Sequence, residues 1–158
     1  MDCIVVDVDG TVADLNHRRH LYKKGAAFFA DVHMDTPITT VITVVQAIRD
    51  TGVEVVFLSA RDEMCRQATS VWLAKNVGEY GRLYMRRSGD RRIDRQVKTE
   101  LLAELRSDNY QPILMIDDRN AVVDLWREYN LPVWHVVPRE RARLADGSED
   151  TRYDHGDF

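Results

Sequence analysis

The chain has 158 residues, of which 44% are hydrophobic and 30% charged, enough to bury one core, and this predicts a single domain over residues 1–158. Its formal net charge of −4 at pH 7 argues against indiscriminate binding to nucleic acid. Apolar runs stay well short of the ~20 residues that cross a bilayer, and Asp2 stands where a secretory signal would be basic, so a cytoplasmic protein without membrane contact is expected.

Strands and helices are predicted to alternate along the chain. In chain order they are a strand at 3–8, a helix at 37–51, a strand at 53–58, a helix at 62–78, a strand at 82–85, a helix at 93–106, a strand at 112–116, a helix at 120–129 and a strand at 133–137. Thr36 and Pro37 are residue types that cap and open helices, so they predict where the first helix begins. Trp72, Trp126 and Trp134 are predicted to lie in the core.

The predicted strands are near-continuous apolar runs, which are typical of a parallel sheet covered by helices on both faces. We therefore predict an α/β fold with a doubly wound, Rossmann-like parallel sheet of about five strands. Residues 16–36 form a long connection after the first strand and predict a small cap or lid over a site. Residues 138–158 form a charged tail with little periodicity.

Polar motifs follow three of the predicted strands. They are "DVDGT" at 7–11, "SAR" at 59–61 and "DDR" at 117–119, and the carboxyl ends of parallel strands share one edge of the sheet. Crowded carboxylates repel one another unless a cation compensates them, and oxygen ligands without a nearby cysteine favour Mg²⁺. A magnesium and phosphate site at this edge is the prediction.

Each motif also has a simpler interpretation. A single Asp at a strand end usually forms a turn or caps a helix, and Asp94 with Lys98 has the spacing of an exposed ion pair on a helix. However, the ordered combination of "DxDGT", "SAR", a helical Lys and "IDDR" is hard to reach by chance. We therefore favour one site over several unrelated turns.

With these motifs the chain resembles the haloacid dehalogenase phosphohydrolase superfamily, whose four motifs correspond to Asp7/Asp9, Ser59, Lys98 and Asp117/Asp118. Within it, the chain is most similar to the 3′-phosphatase domain of bacteriophage polynucleotide kinase-phosphatase, because Arg18, Arg61, Asp94 and the terminal "GDF" also fit that pattern. Two features depart from it: Ala60 replaces the glycine of "SGR", and residues 138–155 resemble an insertion before "GDF".

The resemblance implies a mechanism through an aspartyl-phosphate, with Asp7 as the nucleophile and Asp9 as the general acid and base. The implied ligands of Mg²⁺ are Asp7, the Asp9 backbone carbonyl, Asp117 and Asp118. The implied phosphate and substrate contacts are Ser59, Lys98, Thr11, Arg18, Arg61 and Asp94.

The stretch "MRRSGDRRIDR" at 85–95 is basic in an otherwise acidic chain. Because it leads into the helix of Lys98, its arginines are expected near the mouth of the site, where they would contact the phosphodiesters of a polynucleotide. The arginines assigned to this role are Arg86, Arg87, Arg91 and Arg92. A solvated basic face is the simpler alternative. Tyr22, Phe28 and Phe29 of the long connection would either stack on bases or pack the cap.

The predicted function is a magnesium-dependent phosphomonoesterase that acts on the 3′-phosphate ends of nucleic acid. One alternative is a phosphatase of free nucleotides. Another is a phosphorylated receiver domain of signalling, although there the acidic pair precedes the acceptor Asp and here it comes last. No "GxxxxGK[ST]" occurs, so 5′-kinase activity is not expected, and a separate kinase or ligase chain is an expected kind of partner.

Overall fold

The computed structural model describes residues 1–22 and 24–137. The strands are β1 (Asp2–Val6), β2 (Ala13–Asp14), β3 (Thr36–Pro37), β4 (Glu54–Asp62), β5 (Arg82–Arg86), β6 (Gln111–Asp117) and β7 (Val133–His135). The α-helices are α1 (Ala26–Phe29), α2 (Thr39–Arg49), α3 (Arg66–Asn76), α4 (Asp94–Ser107) and α5 (Asn120–Glu128). Short 3₁₀ helices cover Asn16–Leu21, Val32–Met34 and Glu63–Cys65.

Five of the strands form one parallel sheet in the order β5-β4-β1-β6-β7. β1 lies in the middle, where Val5 pairs with Val56 of β4 on one side and with Met115 of β6 on the other. The chain winds outward from β1 to β5 and then returns to β6, so the strand order reverses beside β1. The carboxyl ends of β1, β4 and β6 therefore meet at a topological switch point, where such sheets bind ligands.

Apolar side chains of β1 alternate between two cores, one on each face of the sheet. Val6 belongs to a core that includes Ile42 of α2 and Leu73 of α3. Val5 belongs to the other core, which α4 and α5 cover and which includes Trp126. Helices on both faces of a parallel sheet confirm the predicted doubly wound α/β fold.

Two sequence predictions are wrong, one on the start of a helix and one on the burial of a tryptophan. α2 begins at Thr39, because Thr36 and Pro37 do not open the helix and instead pair with β2 as the short strand β3. Trp134 is 52% exposed, because it lies on β7 at the edge of the sheet, whereas the other two tryptophans are buried as predicted.

The long connection at 16–36 leaves the fold at β2 and returns at β3, and these two strands pair antiparallel. Between them the chain packs on its own aromatic residues. Phe28 is buried, and the ring of Tyr22 meets it edge-on with 5.6 Å between centroids. The predicted tail at 138–158 lies outside the described residues. Among residues 1–22 and 24–137, no helix is long and apolar enough to cross a bilayer.

Candidate active site

Three carboxylates meet where β1 and β6 end. Asp7 follows β1, Asp117 ends β6 and Asp118 follows it, and each offers an oxygen within 4.8 Å of the others. All three side chains are buried. A hydrogen bond of 2.9 Å from the Asp7 amide to the Ile116 carbonyl ties the two strand ends together. Burial raises the pKa of Asp7 well above its usual value, and the charges of Asp117 and Asp118 add to this effect while Lys98 opposes it.

Lys98 of α4 reaches into this carboxylate cluster. Its Nζ donates hydrogen bonds of 2.7 Å to Asp7 and of 2.7 Å to Asp117, and the side chain is buried. Burial opposes the charge of Lys98, but the Asp117 and Asp7 carboxylates outweigh it and raise the lysine pKa. The ammonium group therefore stays charged and compensates part of the clustered negative charge.

The turn after β1 brings Gly10 against Asp118. Gly10 has φ +82°, and a Cβ built on it would lie 2.1 Å from Asp118 Oδ2, so both the backbone conformation and the close approach require glycine. The next residue, Thr11, is buried, and its hydroxyl lies 3.4 Å from Asp7 Oδ2 and 3.5 Å from Asp118 Oδ1. The turn thus fixes the position of Asp118 relative to Asp7.

A Gly10→Ala variant is expected to lose roughly a hundredfold in kcat, because the new methyl group displaces the Asp118 carboxylate. Gly52→Ala is the matched control: Gly52 also has positive φ, at +91°, but its Cβ would meet nothing within 4 Å. Both variants should lose about 1–2 kcal/mol of unfolding free energy from the backbone conformation alone. Urea unfolding and steady-state kinetics separate the two effects, and a Gly10→Ala protein with unchanged kcat would contradict this role of the turn.

Asp9 points toward two buried arginines. Its Oδ1 accepts hydrogen bonds from Arg18 at 2.9 Å and from Arg61 at 2.6 Å and 3.1 Å. Burial of Asp9 opposes its charge, but the guanidinium groups of Arg61 and Arg18 outweigh it and lower the carboxyl pKa. The arginines therefore hold Asp9 at the rim of the carboxylate cluster in a fixed orientation.

A second carboxylate, Asp35, holds the same two arginines from the other side. The fully buried Asp35 accepts two hydrogen bonds of 2.7 Å from Arg18 and another from Arg61, and His17 Nε2 lies 2.8 Å from its Oδ1. Its backbone carbonyl accepts a bond of 2.8 Å from Trp72. Asp35 was not predicted from the sequence, because the residue belongs to no motif and reaches the arginines only when the connection at 16–36 has folded back.

Ser59 and Asp94 complete the surroundings of the cluster. Ser59, in β4, is buried, and its Oγ accepts a bond of 3.2 Å from the Arg61 amide. Asp94 opens α4 and binds Arg86 at 2.6 Å and Arg119 of the "DDR" motif. Asp94 is therefore not part of an exposed pair with Lys98, since both side chains are buried and each pairs with other residues.

A narrow cavity of about 30 Å³ joins these groups. Its lining includes Asp7, Asp9, Ser59, Asp94, Lys98 and Arg119, together with Leu15, Tyr22, Phe28, Phe29 and Ala60. Aromatic residues of the connection at 16–36 thus line the same cavity as Asp7 and Asp9, and a capping role for this connection stays a prediction. Arg119 was not among the predicted site residues, although the "IDDR" motif contains it.

The family model of the polynucleotide kinase PNKP phosphatase domain matches residues 1–140. The chain belongs to this family. The predicted resemblance is therefore confirmed, and the chain is a phosphatase of the haloacid dehalogenase type. The alternative of a signalling receiver domain is wrong, because the match covers the whole set of described motifs.

Two other proteins are similar to this chain in sequence. A protein of Autographa californica nuclear polyhedrosis virus, named for polynucleotide kinase and RNA ligase activities, is 32% identical over 140 residues, which are 87% of this chain and 19% of that protein. A chain in the structure of the Pnkp1/Rnl/Hen1 complex is 35% identical with a TM-score of 0.75, covering 86% of this chain and 46% of that one. The chain thus spans less than half the length of these relatives.

A more distant structure shows the fold alone. The class C acid phosphatase from Bacillus anthracis is 21% identical with a TM-score of 0.56, and the match covers 77% of this chain and 52% of that one. This phosphatase family therefore shares its sheet and helices with enzymes of quite different sequence.

The donor atoms of the carboxylate cluster fit a hard divalent cation. Asp7, Asp117 and Asp118 supply only oxygen, and the three groups converge within 4.8 Å. The Asp9 carboxylate is held by Arg18 and Arg61, so only its backbone carbonyl would be available to a cation, and that role stays a prediction. The donor set therefore has the oxygen chemistry that a hard divalent cation such as Mg²⁺ prefers.

The arginines predicted to bind a polynucleotide lie in different surroundings. Arg86 is buried and donates to Asp94 and to the Ala60 carbonyl, so it serves internal contacts and does not form part of an exposed basic face. Arg87 is 76% exposed and lies 3.5 Å from Glu100. Arg92 pairs with Asp90 and Glu100. Arg91 is exposed and forms no ion pair with any residue in 1–22 or 24–137.

Proposed function

We propose that this phosphatase is a Mg²⁺-dependent phosphomonoesterase that removes 3′-phosphates from the ends of nucleic acid. The observation that carries the proposal is the buried meeting of Asp7, Asp117 and Asp118 with Lys98 at the switch point of the sheet. Such a cluster suits a cation and a phosphoryl group better than a structural role, because buried like charges are costly without a ligand.

In the first step an Asp7 oxygen attacks the phosphorus in line, the new O–P bond forms, and the bond from phosphorus to the 3′-oxygen breaks. Because Arg61 and Arg18 lower the pKa of Asp9, its carboxylate takes up a proton only when the anionic phosphate binds beside it, and it then gives that proton to the leaving 3′-oxygen. In the second step Asp9 takes a proton from a water molecule, which attacks the phosphorus and releases phosphate and free Asp7. When bound, Mg²⁺ lowers the repulsion between the Asp7 carboxylate and the anionic substrate.

The remaining residues orient the Asp7 and Asp9 carboxylates and stabilise the negative charge of the phosphoryl group. Lys98 keeps its charge and fixes the Asp7 carboxylate, and Ser59 lies in the cavity wall where a phosphoryl oxygen would bind. Thr11 donates beside Asp7 and Asp118. Arg18 and Arg61 hold Asp9 and supply positive charge toward a bound phosphate. Asp94 holds Arg119 at the cavity wall.

Nucleic-acid ends are the favoured substrate because the family model is that of the phosphatase domain of a polynucleotide kinase, because the viral relative is named for polynucleotide kinase and RNA ligase, and because a further structure of the Pnkp1/Rnl/Hen1 assembly is described as an RNA repair complex. Because the name of the viral relative includes a kinase and a ligase, we expect this phosphatase to act together with such activities, on its own chain or on a separate one. The exposed Arg91 is consistent with an anionic polymer near the site.

A panel of phosphate esters tests this proposal. Turnover with Mg²⁺ is compared for an oligonucleotide with a 3′-phosphate, the same oligonucleotide with a 5′-phosphate, and the 3′- and 5′-mononucleotides, each as RNA and DNA. The expected result is the highest kcat/KM on the 3′-phosphorylated oligonucleotides. Equal or higher kcat/KM on mononucleotides would overturn the proposal and favour a phosphatase of free nucleotides.

A further inference from the structure

The catalytic cavity has room for a phosphoryl group and little more. Its volume of about 30 Å³ lies far below the roughly 300–1,000 Å³ of sites that enclose small organic ligands, so this cavity does not enclose a nucleoside. The nucleoside of a nucleotide substrate must therefore bind next to this cavity, because its 3′-oxygen is bonded directly to the phosphorus.

A second cavity of about 390 Å³ adjoins the first. Phe28 and Phe29 form part of the wall of both cavities, so the two spaces lie side by side around these residues. The larger cavity lies between α1, the end of β4 and the loop after β5, where Ala26, Met64 and Arg91 line it. Its size falls in the range of sites for small organic ligands.

The lining of the second cavity offers both apolar surface and a cation. Met64 is 58% exposed although it is apolar, and with Phe29 and Ala26 it forms a surface suited to the face of a base. The two carboxylates of the lining are engaged locally: Asp62 accepts from Ser88 and from the Met64 amide, and Asp90 binds Arg92. Arg91 is thus left to attract an anion.

We propose that this second cavity binds the terminal nucleoside of a 3′-phosphorylated strand, with the base against Met64 and Phe29 and with Arg91 facing the phosphodiester on the 5′ side of that nucleoside. This inference rests on the proposed function, because it assumes that the phosphoryl group occupies the catalytic cavity. Of the four arginines predicted to contact a polynucleotide, this proposal assigns the contact to Arg91 alone.

Two variants and three substrates test the assignment. The variants are Met64→Ala and Arg91→Gln, with Met34→Ala and Arg127→Gln as matched controls at exposed positions elsewhere. The substrates are a 3′-phosphorylated oligonucleotide, the same strand with an abasic 3′-terminal residue, and a 3′-mononucleotide. The oligonucleotide offers both the terminal base and the phosphodiester, the abasic strand offers only the phosphodiester, and the mononucleotide offers only the base.

Met64→Ala is expected to raise KM roughly fivefold for the oligonucleotide and the mononucleotide but not for the abasic strand, since only the base contact is lost. Arg91→Gln should raise KM for both strands but not for the mononucleotide, and should flatten the logarithmic salt dependence by roughly 0.7. The controls should match the wild type on all three substrates.

Equal changes on all three substrates, or none on any, would overturn the nucleoside site while leaving the proposed function intact, provided that the wild type hydrolyses the 3′-phosphorylated strand. A wild-type protein that hydrolyses none of the three would overturn the proposed function itself, and the nucleoside site with it.

Discussion

Asp7→Asn is expected to abolish magnesium-dependent turnover, and Asp9→Asn to lower kcat by about 10²–10⁴-fold, the usual contribution of a general acid and base. The difference follows from their roles: without Asp7 no bond to phosphorus forms, whereas without Asp9 the leaving oxygen can still take a proton from water. Asp2→Asn, at the opposite end of β1, is the matched control and should keep the wild-type rate. Near-wild-type kcat in pure Asp7→Asn protein would end the assignment.

The stability of Asp7→Asn tests whether lost activity reflects lost structure. Burial raises the pKa of Asp7, so the folded, metal-free protein holds a proton that the unfolded chain releases. Stability is therefore lost as pH rises from the ordinary range of Asp through the raised pKa. Asn carries no charge and removes this loss, so without metal the unfolding free energy of Asp7→Asn should rise relative to that of the wild type as pH increases above the ordinary range of Asp, which urea unfolding at several pH values measures.

The second large effect concerns the proposed cation. Asp118→Asn is expected to raise the Mg²⁺ concentration for half-maximal activity by at least roughly tenfold, because it removes a charged oxygen ligand from the cluster. Asp117→Asn should do the same with an added loss of stability, since Asp117 also binds Lys98 and Trp126. The measurements are Mg²⁺ titrations of activity and of the thermal unfolding midpoint.

Asp124→Asn provides the control for this titration, because Asp124 is an exposed carboxylate of α5 paired with Arg127. It should leave both titrations unchanged. If Asp118→Asn also responds to Mg²⁺ like the wild type, the cluster is not the metal site.

Most of the fold could be predicted because apolar strands and amphipathic helices alternate with clear ends. The approach of Asp7, Ser59 and Asp117 could be predicted as well, since the carboxyl ends of neighbouring parallel strands necessarily share an edge. Lys98 could be placed there only through the family resemblance, because its distance along the chain from Asp7 says nothing about their contact.

The surroundings of Asp9 could not be predicted in the same way. Asp35 binds Arg18 and Arg61 through the folded connection at 16–36, and no periodic pattern records that packing. Charge patterns were also ambiguous at Arg86, because a basic stretch in the sequence does not distinguish a buried ion pair with Asp94 from a solvated face.

The central claim is that Asp7 accepts the phosphoryl group from a 3′-phosphorylated strand. Its most direct test mixes enzyme in excess with an oligonucleotide that carries a radioactive 3′-phosphate, in the presence of Mg²⁺, and stops the reaction with acid within milliseconds. The expected result is alkali-labile label on the wild-type protein, located at Asp7 by peptide mapping, and no label on Asp7→Asn. Label that persists on Asp7→Asn, or that maps to another residue, would contradict the claim.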